Sequence, residues 1–238
     1  MKCYTDLHIH SALSPCGSED MTPNNIVNMA IIKGLDIIAV TDHNCCRNLP
    51  AIMKCAKDSG LVVVPGMEVE TREEIHVLTL FDNIDDCFKM SETVKNALPP
   101  IKNNAEIFGV QQVLDHNDTV IDIEEQMLIT ATQLSIDDLV KHARALNGVP
   151  IPAHIDKNAY SIISNLGFIP DDLNFSALEI SKNSSIDDFL SKYDYLRKYK
   201  AITSSDAHYL WDISEREFYI ELEEKSVDAL IDYLKAKH

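Results

Sequence analysis

Six of the nine histidines, His8, His10, His43, His76, His154 and His208, fall at or just after places where the residue pattern predicts strands to end. His8 and His10 are two residues apart within a segment that reads as a strand, residues 4–10, so their side chains leave the same face. Asp206 and His208 repeat that spacing. In parallel α/β folds the C-terminal ends of the strands share one rim, and active sites form there. A lone histidine on a strand is ordinarily a satisfied core residue. Six converging on one rim would leave buried nitrogens unpaired unless cations bind them. Imidazole combined with carboxylate suits Zn, Fe or Mn better than Mg or Ca. The carboxylates at hand are Asp206 and the pair Glu68 and Glu70, which share a face just after Pro65-Gly66-Met67. A carboxylate can bridge two cations, and two-metal sites favour in-line displacement at phosphorus. Spacing alone does not choose between Glu68 and Glu70.

The elements that must position these residues alternate. Continuous apolar runs at residues 35–41, 61–64, 75–81, 149–154, 177–180 and 201–204 read as buried strands. Between them lie helical patterns. Thr22 caps the first, with Pro23 at its first position and Gly34 at its end. Ser135 and Asp138 open another, closed by Gly148. Repeated strand-helix-strand units imply a parallel sheet with right-handed crossovers, and about seven such units suggest a barrel. The 105–130 stretch is polar and irregular, and Asp115-His116-Asn117-Asp118 looks like the turn of an inserted hairpin. The 238 residues are expected to form one domain.

Composition narrows the setting. There is no run of about 18 apolar residues, which argues against a membrane span. Residues 1–6 read as the start of a strand rather than an export signal. The cysteines at 3, 16, 45, 46, 55 and 87 show no disulfide spacing and are expected to be reduced thiols in a cytoplasmic protein. The formal net charge is −17, with 38 acidic and 21 scattered basic residues. Such a surface argues against long nucleic acid as a partner and for a small phosphorylated substrate. Arg47, Lys157 and Lys182 each follow a rim motif and are candidate phosphate-binding cations. His116, His142 and His238 read as surface residues. No Gly-rich phosphate loop or nucleophile elbow is found, so no nucleotide cofactor is expected.

Taken in order, Asp6-Leu7-His8-Ile9-His10-Ser11, Thr41-Asp42-His43, Pro65-Gly66-Met67-Glu68, Pro152-Ala153-His154 and Ser205-Asp206-Ala207-His208 resemble the PHP (polymerase and histidinol phosphatase) family across almost the whole chain. The resemblance implies a distorted (βα)7 barrel with a site for two to three divalent metals (Zn, Fe or Mn) at the strand C-terminal rim. It implies that His8, His10, Glu68 and Asp206 hold one ion. Glu68 would bridge to a second held by His76 and His154, and His43 and His208 would hold a third. Glu68 is favoured over Glu70 because the family's Glu follows Pro-Gly-x, and Asp42 becomes a residue that orients an imidazole. The family usually offers an Asp or His after the His-x-His pair. Here the chain reads Ser14-Pro15-Cys16-Gly17-Ser18-Glu19-Asp20, leaving Cys16, Asp20 or water to complete the third site. The expected reaction is metal-assisted hydrolysis of a small phosphate ester, with Asp206 and His208 at the catalytic end. Either His208 or a metal would assist the leaving alkoxide. An oligonucleotide exonuclease, a C–N hydrolase and a non-catalytic metal module are the alternatives. Oligomeric state is left open.

Overall fold

A computed structural model describes residues 1–237; the reading of His238 lies outside the described residues. Ten strands form in chain order: β1 (Lys2–Ile9), β2 (Ile37–Val40), β3 (Val62–Glu70), β4 (His76–Leu80), β5 (Gln112–Leu114), β6 (Val120–Ile123), β7 (Val149–Pro152), β8 (Ala177–Ser181), β9 (Lys200–Ser204) and β10 (Tyr219–Glu221). Six of them make one curled sheet in the order β10-β1-β2-β3-β4-β7. The parallel pair β8-β9 continues the curl, β8 against β7 and β9 against β1, where Ile9 bridges Ala207. The result is a mixed α/β fold with a half-barrel sheet.

The regular strand-helix repeat does not hold throughout. β4 runs antiparallel to both β3 and β7, with Glu70 paired to His76 and Val77 to Pro152. Only residues 71–75 join β3 to β4. A parallel crossover needs roughly a dozen residues, so this connection can only fold back as a hairpin. Gly66 permits the tight pairing: a Cβ there would sit 2.6 Å from Leu80 Cδ2 and 2.9 Å from the Thr79 carbonyl oxygen.

The helices are α1 (Pro23–Ile32), α2 (Leu49–Ala56), α3 (Ile84–Ala97), α4 (Ala105–Phe108), α5 (Ile136–Ala145), α6 (Ile162–Leu166), α7 (Ile186–Lys192) and α8 (Val227–Lys235). Local chemistry sets their starts. Thr22, Asn83, Ser135, Ser185 and Ser226 each accept a backbone N–H from the first turn, which satisfies one of its orphan donors. The sheet is apolar on both faces. Ile38, Val40 and Val63 pack with Ile26, Ile52 and Leu139 of the helices. Ile37, Ala39 and Val64 pack in a second cluster that includes Leu230, Ile231 and Leu234 of α8. Burying a side chain of this kind stabilises the fold by about 1.5–3 kcal/mol. β5 and β6 pair antiparallel about the Asp115–Asp118 turn, forming a hairpin within the 105–130 stretch. Among the described residues no helix is long and apolar enough to cross a membrane.

Candidate metal centre

One rim of the curled sheet gathers the chemistry. His8 lies in β1 and His10 just beyond it, past a register shift between Asp6 and Ile9 that re-aims the strand end. His43, His154, Asp206 and His208 follow the ends of β2, β7 and β9. His76 was expected at a strand's C-terminal end, but it is the first residue of β4. It reaches the rim because β4 runs backwards.

Glu68 sits at the centre of the cluster. Its Oε1 is 3.2 Å from His8 Nε2, 2.9 Å from His76 Nδ1 and 3.2 Å from His154 Nε2. Its Oε2 is 3.0 Å from His43 Nδ1 and 3.4 Å from His10 Nε2. Asp206 Oδ1 lies 3.4 Å from His8 Nε2 and 3.2 Å from His10 Nε2. Glu70 shares the face but stands at the edge, 3.9 Å from His76 Nε2.

The hydrogen bonds behind the imidazoles fix their tautomers. Ser11 N–H and Oγ–H and the Ser14 hydroxyl all donate to the buried Asp42 carboxylate, at 2.7, 2.6 and 2.7 Å. With its proton committed, Ser14 Oγ can only accept from His10 Nδ1–H at 3.0 Å, as it does from the His43 backbone N–H at 3.1 Å. Asp42 therefore orients His10 through Ser14 rather than by direct contact. His8 Nδ1–H likewise donates to Glu179, 3.0 Å from Oε1 and 3.2 Å from Oε2. Both Nδ1 atoms donate, so Nε2 is the atom each ring has left for the centre. Those two Nε2 atoms are 3.1 Å apart.

Facing acceptors of this kind call for a cation. Ligands about 2.0–2.1 Å from a tetrahedral ion stand about 3.3 Å apart, close to the spacings around Glu68 and Asp206. Buried polar atoms are also left over: His43 Nδ1 and Glu68 Oε2 are close but misaligned for a hydrogen bond, and His154 Nδ1 has no partner. Three groups have ligand atoms near enough to share an ion: His8, His10 and Glu68; His43, Glu68 and His76; His10, His43 and His208. The residues fit divalent metals, and imidazole-carboxylate sets favour Zn, Fe or Mn.

The carboxylates and imidazoles also shift one another's protonation. Burial alone would lower His8, but the charges of Glu179, Glu68 and Asp206 outweigh it and raise His8 well above the ordinary imidazole range. Burial would raise Glu68, but His76, His8 and His43 hold it well below the usual carboxylate range. Asp206 is lowered in the same way, chiefly by His8 against burial. His10 falls well below its usual value, from burial and from His208 and His43. Burial would raise the Cys16 thiol, but hydrogen bonds with His208 and His43 bring it down to about 6. Cys16 is exposed as a residue, yet its thiol sits against these two imidazoles. Asp20, the alternative, is exposed and does not line the cleft.

The cleft over this centre has a volume of about 410 Å³. Lys157 lines it and pairs with Asp206 Oδ2. Arg47 and Lys182 do not reach it. Arg47 is held by Asp122 at 2.5 Å and Glu124 at 3.2 Å of the β6 region and lines a separate hollow. Lys182 Nζ donates to the Asp212 carbonyl at 2.6 Å, away from the cleft. His142 is exposed, and His116 is half-buried in the hairpin turn; neither joins the cleft. Glu179, absent from the sequence reading, is buried in β8 and also accepts the His154 backbone N–H at 3.1 Å. Its signal was a single charge inside the apolar run Ala177-Leu178-Glu179-Ile180. Backbone strain collects at the rim, where His154, Asp206 and Tyr160 hold φ of 29°, 53° and 55°.

Comparison with known proteins agrees with this geometry. The family model for the PHP domain matches residues 6–225. An uncharacterized protein of Methanocaldococcus jannaschii is 35% identical over 99 residues, covering 38% of this chain and 58% of that one. The 5′-3′ exoribonuclease Rnm of Salmonella typhimurium is 34% identical over 85 residues, covering 34% of this chain and 27% of its own. Among solved structures, the lesion-specific Endonuclease Q of Pyrococcus furiosus superposes with a TM-score of 0.69 at 19% identity, over 99% of this chain and 56% of that one. This chain thus spans less than two thirds of the length of each of these proteins. An Endonuclease Q structure in complex with a 27-mer duplex, an abasic lesion at its active site, gives a TM-score of 0.65 at 19% identity, over 99% of this chain and 57% of that one.

These neighbours overturn one expectation. Long nucleic acid had been set aside as a partner on the strength of the net charge. Relatives are named as exoribonucleases, and a structural neighbour is seen with duplex at its active site, so net charge does not set nucleic acid aside. Net charge is a sum over the whole surface. Phosphate binding is decided within about 8–10 Å of the site, the Debye length, where bound cations would set the local sign.

Proposed function

Since the chain belongs to the PHP domain family, we propose that it is a metal-dependent phosphoesterase that cleaves a phosphoester of nucleic acid. The observation that carries this reading is the meeting of the Nε2 atoms of His8 and His10, 3.1 Å apart, with a Glu68 oxygen 3.2 Å from His8 Nε2 and an Asp206 oxygen 3.2 Å from His10 Nε2.

His8, His10, Glu68 and Asp206 would hold one ion. Glu68 would bridge to a second held with His76 and His154, and His43, His208 and Cys16 would hold a third. Bound there, the cations would supply a hydroxide near neutral pH and neutralise phosphoryl oxygens. The protein's own groups then do the positioning. Glu179 keeps the His8 proton on Nδ1, and Ser14 with Asp42 does the same for His10. Lys157 holds Asp206 and places an ammonium at the cleft for a substrate phosphate oxygen. His208 donates Nδ1–H to the Asp206 carbonyl at 2.9 Å, which would leave its Nε2 as the atom to bind an ion.

Elemental analysis of purified protein, followed by incubation with 5′-phosphorylated single-stranded oligonucleotides, tests this reading. We expect about two or more equivalents of Zn, Fe or Mn per chain and metal-dependent release of nucleotide or phosphate. Less than about one equivalent after reconstitution, or no phosphoester hydrolysis by metal-replete protein, overturns it.

A further inference from the structure

Resting on the phosphoesterase reading, we propose that Phe108 and Tyr160 form the two jaws that grip the nucleobase adjoining the scissile phosphate. The cleft over the metal centre has a polar floor, but Phe108, Ile129, Ala159 and Tyr160 make its walls apolar. Its volume of about 410 Å³ is at the small-ligand scale, room for one nucleotide rather than a duplex. A phosphate on the metals leaves its attached base beside those walls.

Both rings are held in place. Tyr160 stacks on His76 with centroids 4.9 Å apart and planes 25° from parallel. Its carbonyl accepts the His76 N–H at 3.0 Å, so ring and backbone are both referenced to the centre. Its φ of 55° lies in the left-handed region, where a bulky residue is an outlier. Such strain persists where the surroundings over-determine it, as binding sites do. Phe108 ends α4 and is followed by Gly109, whose φ is 96° and whose missing Cβ would lie 2.4 Å from the Pro15 carbonyl oxygen. That close approach seats the inserted segment on the Pro15-Cys16 turn and brings Phe108 to the cleft. Scattered exposed aromatics are common, and Trp211 and Phe168 are more exposed than either jaw. Phe108 and Tyr160 differ because they line the cleft that holds the histidines. Aromatic faces stack on any base, so the jaws would be indifferent to sequence.

The test is calorimetric titration of metal-loaded full-length protein with a nucleoside 5′-monophosphate and with ribose 5-phosphate, which differ only by the base. The base should tighten binding about 10- to 100-fold. Phe108→Ala and Tyr160→Ala should each weaken the nucleotide about tenfold and leave ribose 5-phosphate unchanged, and Tyr160→Phe should restore the preference. Equal affinity of wild type for both ligands, no measurable affinity for either, or alanine variants that weaken both equally would overturn the proposal. Turnover is not read, so a protein that prefers the base yet hydrolyses no phosphoester would retain the jaws and lose the phosphoesterase reading.

Discussion

Glu179→Gln isolates a residue that stands behind His8 and does not line the cleft. The wild-type carboxylate is buried and accepts two donors, His8 Nδ1–H and the His154 backbone N–H. Glutamine keeps the shape, and an amide oxygen at the Oε1 position can still accept both N–H groups, which lie 3.0 and 3.1 Å from it. The acceptor is then neutral, and the second contact, 3.2 Å from Oε2 to His8 Nδ1, is lost. A hydrogen bond to a charged acceptor contributes about 1.5–3 kcal/mol, against about 0.5–1.5 kcal/mol for a neutral one. The change also removes the leading charge that raises His8, making its Nε2 a poorer ligand. Loss of such a supporting partner lowers metal affinity about 10- to 100-fold, equivalent to about 1.4–2.7 kcal/mol. The metal-free protein shows the sign of the coupling. His8 is raised in the fold, so its protonation stabilises the fold fully below about pH 6.5 and ceases to do so as pH rises through the folded value. Glu179→Gln should therefore lower the Tm of chelator-treated protein more below about pH 6.5 than well above it. Metal affinity is measured by competition with a chromophoric chelator, and stability by scanning calorimetry with and without metal. Affinity within about twofold of wild type would show that the contact between Glu179 and His8 does not support the ligand.

Three further outcomes follow from the same geometry. Glu68→Gln should remove metal and activity together, whereas Glu70→Gln, at the edge of the cluster, should retain most of both; elemental analysis with an activity assay distinguishes them, and the reverse pattern refutes the central place of Glu68. Cys16→Ser should lower metal content by about one ion while Asp20→Ala leaves it unchanged, and an unaltered count in Cys16→Ser transfers the third site to water. Metal loading should expel protons, because His8, His43, His76 and His208 are all raised in the metal-free fold. Apparent affinity then rises with pH until those raised values are passed, and titrations in buffers of different ionisation heat should report net proton release; none would contradict the assignment.

The centre was legible where spacing carries geometry. His8 and His10 share a face because strand side chains alternate, and their Nε2 atoms meet. The reversal of β4 was not read, although the connection of residues 71–75 is too short for a crossover helix. Arg47 and Lys182 follow rim motifs, but sequence position gives no direction to a long side chain. Arg47 turns to Asp122 and Glu124, which lie 75 and 77 residues away and meet it only through the hairpin. Glu179 was hidden in an apolar run, although a charge at a buried strand position ordinarily has a partner. Cys16 and Asp20 could not be separated because the turn that decides between them is built from backbone bonds, Ser14 N to Ser11 O and Gly17 N to Ser14 O. The global charge misled about the partner because it averages over a surface on which the cleft is a small part.

The reversed strand also has a bearing on when the centre can form. Glu68, Glu70 and His76 lie on one hairpin, closed by residues 71–75, so this third of the cluster can be arranged by local contacts early in folding. His8 and Asp206 meet only when β9 docks beside β1, an encounter secured by the Ser205 N–H bond to Asp6, 199 residues apart. Loop-closure entropy opposes that docking until the intervening strands have shortened the path. A nascent chain emerging from the ribosome would thus carry a half-site of low affinity for most of its synthesis, and the full ligand set would close only after residue 208 has emerged. Metal capture would then be one of the last events in maturation, and it would tie together the two parts of the chain that take longest to find each other.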